Sequence, residues 1–211
     1  MIVLPLVLLL LSQCPGPCPN KVPTAIVRME SADRGGVTSW GTGTCVASTK
    51  ESLILTANHV IQDGHGFKIN GKVAKLIGID STWDLAALTT QAKLPSISLS
   101  NRRPPIGEVL TACGYGSGSY KEVSGKVMQY FNPGRNLPDD WLALNISVRQ
   151  GDSGGPILSA RRELVGVLFG SDTLGVHGSC CTRVRLFIEN LNIEPKLKQQ
   201  ALSNPYTIIG K

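Results

Sequence analysis

The 211-residue chain is poor in several features that mark common protein classes. Aromatic residues make up 5% and charged residues 17%, too little charge for a self-repelling disordered chain. No apolar run reaches the roughly 20 residues that a membrane-spanning helix needs. The run from Met1 to Leu11 stops well short of that. Metal chemistry has no foothold either. The three histidines include no pair at ligand spacing, and the six cysteines form no paired C-x-x-C. No metal and no cofactor are therefore expected. The net charge of +6 comes from scattered Lys and Arg, with small clusters at Arg102-Arg103 and Arg161-Arg162. A nucleic-acid partner is not expected, because no basic helix with interleaved aromatics is present. A solvated basic surface accounts for the charge, with weak attraction to anionic cell envelopes.

Glycine and proline, by contrast, are plentiful, at 23 and 13 residues. They punctuate short Val/Ile/Leu runs, the pattern of an all-β barrel or sandwich. The length suits one compact body rather than two independent domains. Strands are expected at Ala25–Met29, Val37–Ser48, Leu53–Leu55, Lys72–Ile79 and Leu85–Thr89. A polar, Pro-rich hinge at Asn101–Gly107 separates these from Val109–Gly114, Val123–Phe131, Trp141–Ile146, Pro156–Leu158 and Leu164–Phe169. The two halves run over about 24–100 and 108–185. Thr182–Leu191 reads as a closing helix, with Val184, Phe187, Ile188 and Leu191 at helical spacing for core packing. Residues 193–211 read as a polar tail without assigned function.

Residues 1–13 read as an export signal although no Lys or Arg precedes the apolar run. Residues 14–23 form a Pro- and Cys-rich linker. Leu11-Ser12-Gln13-Cys14 faintly matches a lipoprotein cleavage box, which would place a lipid anchor on Cys14. The expected location is secreted or cell-envelope, with any membrane association through the N-terminus, and the expected state is a monomer. Cys14, Cys18, Cys45, Cys113, Cys180 and Cys181 could carry disulfides in an exported chain. Cys45 and Cys113 also read as buried thiols in apolar strands. Cys180 and Cys181 would point to opposite faces if their segment were a strand.

Three stretches carry chemistry. Gly151-Asp152-Ser153-Gly154-Gly155-Pro156 places a serine on a glycine-rich turn, which exposes its hydroxyl and lets a backbone approach. Such a turn can aim the N–H groups of Gly151 and Ser153 at one point, as an oxyanion hole requires. A serine hydroxyl needs a base beside it. Of His59, His65 and His177, His59 is best placed, where the apolar Leu53–Leu55 breaks into Thr56-Ala57-Asn58. His65 lies in a loop, Asp63-Gly64-His65-Gly66, and His177 in a Gly-flanked stretch. The carboxylate that would orient the imidazole is Asp84, opening Leu85-Ala86-Ala87-Leu88; Asp80 reads instead as a strand end and turn.

Together, Thr56-Ala57-Asn58-His59, Asp84–Leu88 and Gly151–Pro156 resemble the trypsin/chymotrypsin-like serine peptidases, in the His, Asp, Ser order of the chymotrypsin arrangement. The likeness covers about Val22 to Leu191, and its compact spacing looks more like bacterial members than animal digestive enzymes. It implies a peptidase domain over residues 24–192. The fold would be two six-stranded-type antiparallel β-barrels side by side with a short C-terminal helix. It also implies a serine endopeptidase acting on protein or peptide substrates through His59, Asp84 and Ser153, with an oxyanion hole at Gly151 and Ser153. By the same resemblance Ser147, six residues before the nucleophile, lies at the base of the primary pocket, Ser179 on its wall and Gly170 at its mouth. Ser147 carries no charge, so Arg/Lys specificity is not expected. A medium-sized apolar side chain fits such a pocket, while His177 and Arg149 leave an acidic preference open. The family's disulfides beside the histidine and the pocket are missing, with Val60 and Arg149 at those positions. No Ile-Val-Gly-Gly is present, so no trypsin-type activation cleavage is expected, and an internal arginine would neutralise Asp152. The alternatives are an inactive binding module that keeps the fold, or a peptidase restricted to self or polyprotein processing.

Overall fold

A computed structural model describes residues 24–33, 35–36, 38–172 and 175–203. The expected export signal, the expected linker with Cys14 and Cys18, and the end of the tail lie outside the described residues. The chain forms two closed antiparallel barrels of six strands each. The first contains β1 (Ile26–Ala32), β2 (Thr38–Ser48), β3 (Ser52–Thr56), β4 (Gly66–Ile69), β5 (Lys72–Asp80) and β6 (Leu85–Thr90), in the order β1-β2-β3-β6-β5-β4. The second contains β7 (Val109–Gly114), β8 (Lys121–Phe131), β9 (Trp141–Leu144), β10 (Pro156–Leu158), β11 (Leu164–Asp172) and β12 (Gly175–Cys180), in the order β10-β11-β12-β9-β8-β7. Closure leaves neither sheet an unpaired edge.

β3 and β6 explain how the barrels join. Every residue of both strands is buried. Ile54, Ala86 and Leu88 face the first barrel's core with Met29 and Ile69. Leu53, Leu55, Leu85 and Ala87 share a second core with Leu142, Leu144, Val165 and Val167 of the other barrel. Burial on both faces is why these strands read as unbroken apolar runs rather than alternating ones. The same two strands carry the rim: β3 runs into a 3₁₀ turn at Asn58–Val60, and β6 starts directly after Asp84.

Two strands escape the sequence pattern. β4 (Gly-Phe-Lys-Ile) is short, with only Phe67 and Ile69 turned inward. β12 (Gly-Val-His-Gly-Ser-Cys) is made of small and polar residues, yet five of its six are buried. Its Gly178 packs so tightly that a Cβ would lie 2.5 Å from Ile157 Cδ1.

The expected helix is α1 (Cys181–Asn190), with Val184, Phe187 and Ile188 buried, and Leu191 buried just beyond it. Part of the expected tail is a second helix, α2 (Pro195–Leu202). Glu194 caps it, its carboxylate accepting from the Lys196 and Leu197 amides at 3.2 and 3.0 Å, and Pro195 occupies the first turn. Leu197 and Ala201, one turn apart, are buried in the shared core. Cys45, Cys113, Cys180 and Cys181 are buried free thiols. Burial pushes the Cys45 thiol up to about 11 and the Cys113 thiol up to about 12. Cys180 and Cys181 do not point to opposite faces. The backbone turns from β12 into α1 between them, and their sulfurs lie 3.8 Å apart.

Candidate active site

The rim of the first barrel holds His59 and Asp84 in contact. His59 Nδ1 lies 2.6 Å from Asp84 Oδ2, and the His59 backbone N–H donates to Asp84 Oδ1 at 2.8 Å. The Asn58 N–H donates to the Asp84 carbonyl at 3.1 Å. Three contacts therefore register the 3₁₀ turn against the β5–β6 turn. Asp84 takes a left-handed backbone conformation, φ 49°, which is uncommon for a residue with a side chain and places its carboxylate under the imidazole. Because a carboxylate only accepts, His59 Nδ1–H is the donor of this pair, and Nε2 lies on the far side of the ring. The His59 side chain is 40% exposed and Asp84 20%, so the ring is the more open of the two and the carboxylate the more sheltered. Asp80 instead accepts from the Trp83 amide within the turn.

Ser153 comes from the loop before β10. It is half-buried between buried Asp152 and Gly154. Thr42 on β2 ties this turn to the first barrel. Its N–H donates to the Ser153 carbonyl at 2.8 Å, its hydroxyl donates to the Gly151 carbonyl at 2.8 Å, and its carbonyl accepts from Thr56 Oγ1 at 2.7 Å. Gly154 closes the joint with φ +83°. A Cβ there would lie 2.1 Å from the Thr42 carbonyl oxygen and 2.9 Å from the Ala57 amide. The serine turn is thus held against the strand end that leads to His59. Gly151, φ +90°, is half-buried. Among the described residues, the N–H groups of Gly151 and Ser153 meet no acceptor.

Asp152 is buried and fully engaged. Arg149 Nη2 donates to its Oδ1 at 3.0 Å and Nε to its Oδ2 at 3.2 Å; the Arg149 and Gly116 amides add bonds of 2.8 and 2.7 Å. The neutralising arginine left unnamed by the sequence is therefore Arg149. The same contact removes Arg149 from an acid-binding pocket.

The remaining candidates separate. Gly170 faces open space, and Ser147 is exposed on the loop after β9. Ser179 is fully buried, and its hydroxyl donates to the Trp83 carbonyl, beside Asp84. His65 is exposed, with its N–H on the Ala32 carbonyl. His177 is buried, edge-on to Phe131 at 4.9 Å, with Nε2 3.2 Å from Asp172. Thr42 was not legible as a site residue, because a threonine between two glycines reads only as a bent strand.

Comparison with known proteins follows this geometry. Residues 41–167 match the trypsin-like peptidase domain. The chain belongs to this family. A relative named "Probable periplasmic serine endoprotease DegP-like", from Ectopseudomonas mendocina, is 30% identical over 140 residues, 61% of this chain and 29% of that protein. The chain thus spans under a third of the length of the curated relatives it matches. The serine endoprotease from Yersinia pestis is 26% identical with a TM-score of 0.65, covering 84% of this chain and 64% of that one. The Rv3671c protease from M. tuberculosis in its active form has a TM-score of 0.69 at 19% identity, covering 82% of each chain, a likeness of fold. Among the described residues no helix is long and apolar enough to cross a membrane.

Proposed function

We propose that the chain is a serine endopeptidase of the cell envelope acting on protein or peptide substrates. The observation that carries the reading is the His59–Asp84 pair on a rim to which Thr42 and Gly154 lock the Ser153 turn. Ser153 Oγ attacks the scissile carbonyl while His59 Nε2 takes its proton. The oxyanion forms against the Gly151 and Ser153 amides. His59 then protonates the leaving amine, and water releases the acyl group by the same steps in reverse. Asp84 holds the tautomer and stabilises the imidazolium. Arg149 and Thr42 are positioning residues that keep the serine turn in register.

The acyl-side pocket is assigned to Ser147 and Gly170, with the Ser179 backbone behind them. Ser147 at its base is uncharged, Gly170 at its mouth has no side chain, and the Arg149 guanidinium is bound to Asp152. This supports a medium-sized apolar side chain and not Arg or Lys. The relative from Ectopseudomonas mendocina is named as periplasmic, which supports an envelope location. Hydrolysis of a fluorogenic peptide panel by the full chain tests both parts. Turnover that falls roughly a million-fold in Ser153→Ala supports the chemistry. Turnover equal in parent and variant contradicts it, and a strong Arg/Lys preference contradicts the pocket.

A further inference from the structure

We infer that the groove beside Gly151 is a subsite for a carboxylate on the leaving side of the substrate. The inference rests on the peptidase reading and adds a specificity to it. The groove encloses about 540 Å³. Arg28 and Trp40 line it from the first barrel, Tyr115 and Gln150 from the second, and Gly151 joins it to the reacting centre.

Arg28, the cation among the described residues that line it, is arranged to bind. In the β1–β2 pair Arg28 sits opposite Thr42 and Glu30 opposite Trp40, so Arg28 and Trp40 are diagonal neighbours. The guanidinium carbon stacks 3.6 Å from the Trp40 ring centroid. Stacking occupies the face of the guanidinium and leaves its edge donors directed outward, the fork that matches a carboxylate. Arg102, Arg103, Arg149, Arg162 and Arg183 each pair with an acidic side chain. Among the described residues no carboxylate pairs with Arg28. Glu30, two residues along, sits opposite Lys68 on β4 and lines a separate hollow of about 170 Å³. Trp40 is 46% exposed, a large ring at the groove with Arg28 across one face.

Position assigns the side. The open Gly170 lies on β11 of the second barrel, where the acyl portion enters. Beyond Gly151 the groove is walled by β2 of the first barrel, the barrel whose turn after β3 carries the His59 that protonates the leaving amine. A peptide attached at Ser153 with its acyl part at Gly170 therefore continues over Gly41 and Trp40. The ligand is a carboxylate within the first few residues after the scissile bond. It is supplied by Asp or Glu, or by the substrate's own C-terminus.

The test uses the full chain and fluorogenic peptides that share one acyl-side sequence. Glu, Gln or Lys is placed in turn at the first, second and third leaving-side positions, with free and amidated C-termini. The expected result is a preference for Glu over Gln of roughly three- to ten-fold in kcat/KM at one position, weakened by salt. Arg28→Glu shifts the preference to Lys, and Trp40→Ala reduces it without reversal. A preference seen only with free C-termini assigns the carboxylate to the chain end. Labelling by a serine-reactive fluorophosphonate, which has no leaving-side peptide, reads the nucleophile separately from the subsite. Equal turnover of Glu, Gln and Lys peptides by a parent that labels normally overturns the subsite and leaves the peptidase reading standing. A folded parent that neither labels nor cleaves overturns that reading itself.

Discussion

Replacing Arg149 by methionine keeps much of the side chain's volume and removes only the guanidinium. The partner left behind, Asp152, has a side chain 8% exposed, while Arg149 itself is 26% exposed. Breaking a buried ion pair by removing one member costs about 3–5 kcal/mol. Two features lower that figure here. The Arg149 and Gly116 amides still donate to the carboxylate, and water reaches the vacated space from the exposed side. The expected loss is about 2–3 kcal/mol. The guanidinium also bonds the Gly114 and Ser119 carbonyls at 3.3 and 3.0 Å, so its loss frees the 114–119 segment against which the serine turn rests. Urea unfolding of Arg149→Met in a Ser153→Ala background, where self-cleavage is blocked, reads the stability. Labelling rate in the otherwise unaltered chain reads the geometry of the turn, and should fall at least ten-fold. Asp152→Asn completes a double-mutant cycle, and the double variant should be less destabilised than the sum of the singles. A loss under about 0.5 kcal/mol with no coupling, or an unchanged labelling rate, would refute Arg149 as the internal substitute for a cleavage-generated partner.

Two further outcomes test the packing of the site and core. Gly154→Ala forces a Cβ into the Thr42 carbonyl at a left-handed position, so the joint between the barrels cannot close. Labelling should be lost and the unfolding midpoint should drop sharply; a variant that labels like the parent would show the joint to be soft. The Cys113 thiol ionises at about 12 in the folded chain, above its ordinary value of 9.0, because burial disfavours the thiolate. A raised folded value means stability is fully present below pH 9 and is lost as the pH climbs toward 12. Denaturation between pH 8 and 11 should show this decline, to which the raised Cys45 thiol also contributes, and Cys113→Ala should make it shallower; an identical decline in the variant would assign it elsewhere.

The chemistry of the site was more legible in the sequence than its supports. His59 and Asp84, which the structure brings into contact, flank the apolar runs of β3 and β6, and a polar residue at such a boundary is readable because the pattern changes there; Ser153 was read from its glycine-rich turn instead. The doubly buried strands β3 and β6 were equally plain. β12 was not, since close packing against Ile157 and Val167 demands the glycine and serine that sequence patterns assign to loops. α2 was hidden for a different reason. Only Leu197 and Ala201 of its eight residues are buried, too few to raise an apolar stripe above a polar background. Its signals were local instead, the Glu194 cap and Pro195. Thr42 acts through hydrogen bonds that close only when two distant segments meet, and Arg149 adds to its local pair with Asp152 bonds to the Gly114 and Ser119 carbonyls, 35 and 30 residues away. Thr42 lies 109 residues from its partner Gly151, a separation along which no periodicity can report. Ser179 shows the reverse, a residue placed near the pocket by resemblance whose hydroxyl is held by Trp83.

The central claim is that His59, Asp84 and Ser153 form one activated nucleophile, and labelling by a fluorophosphonate probe tests it most directly. The account predicts rapid, single-site labelling of the full chain at Ser153, abolished in Ser153→Ala and His59→Ala. Asp84→Asn, which leaves the ring in place but removes control of its tautomer, should slow reaction about 10⁴-fold. Labelling that persists in His59→Ala, or its absence from a folded parent, would contradict the account.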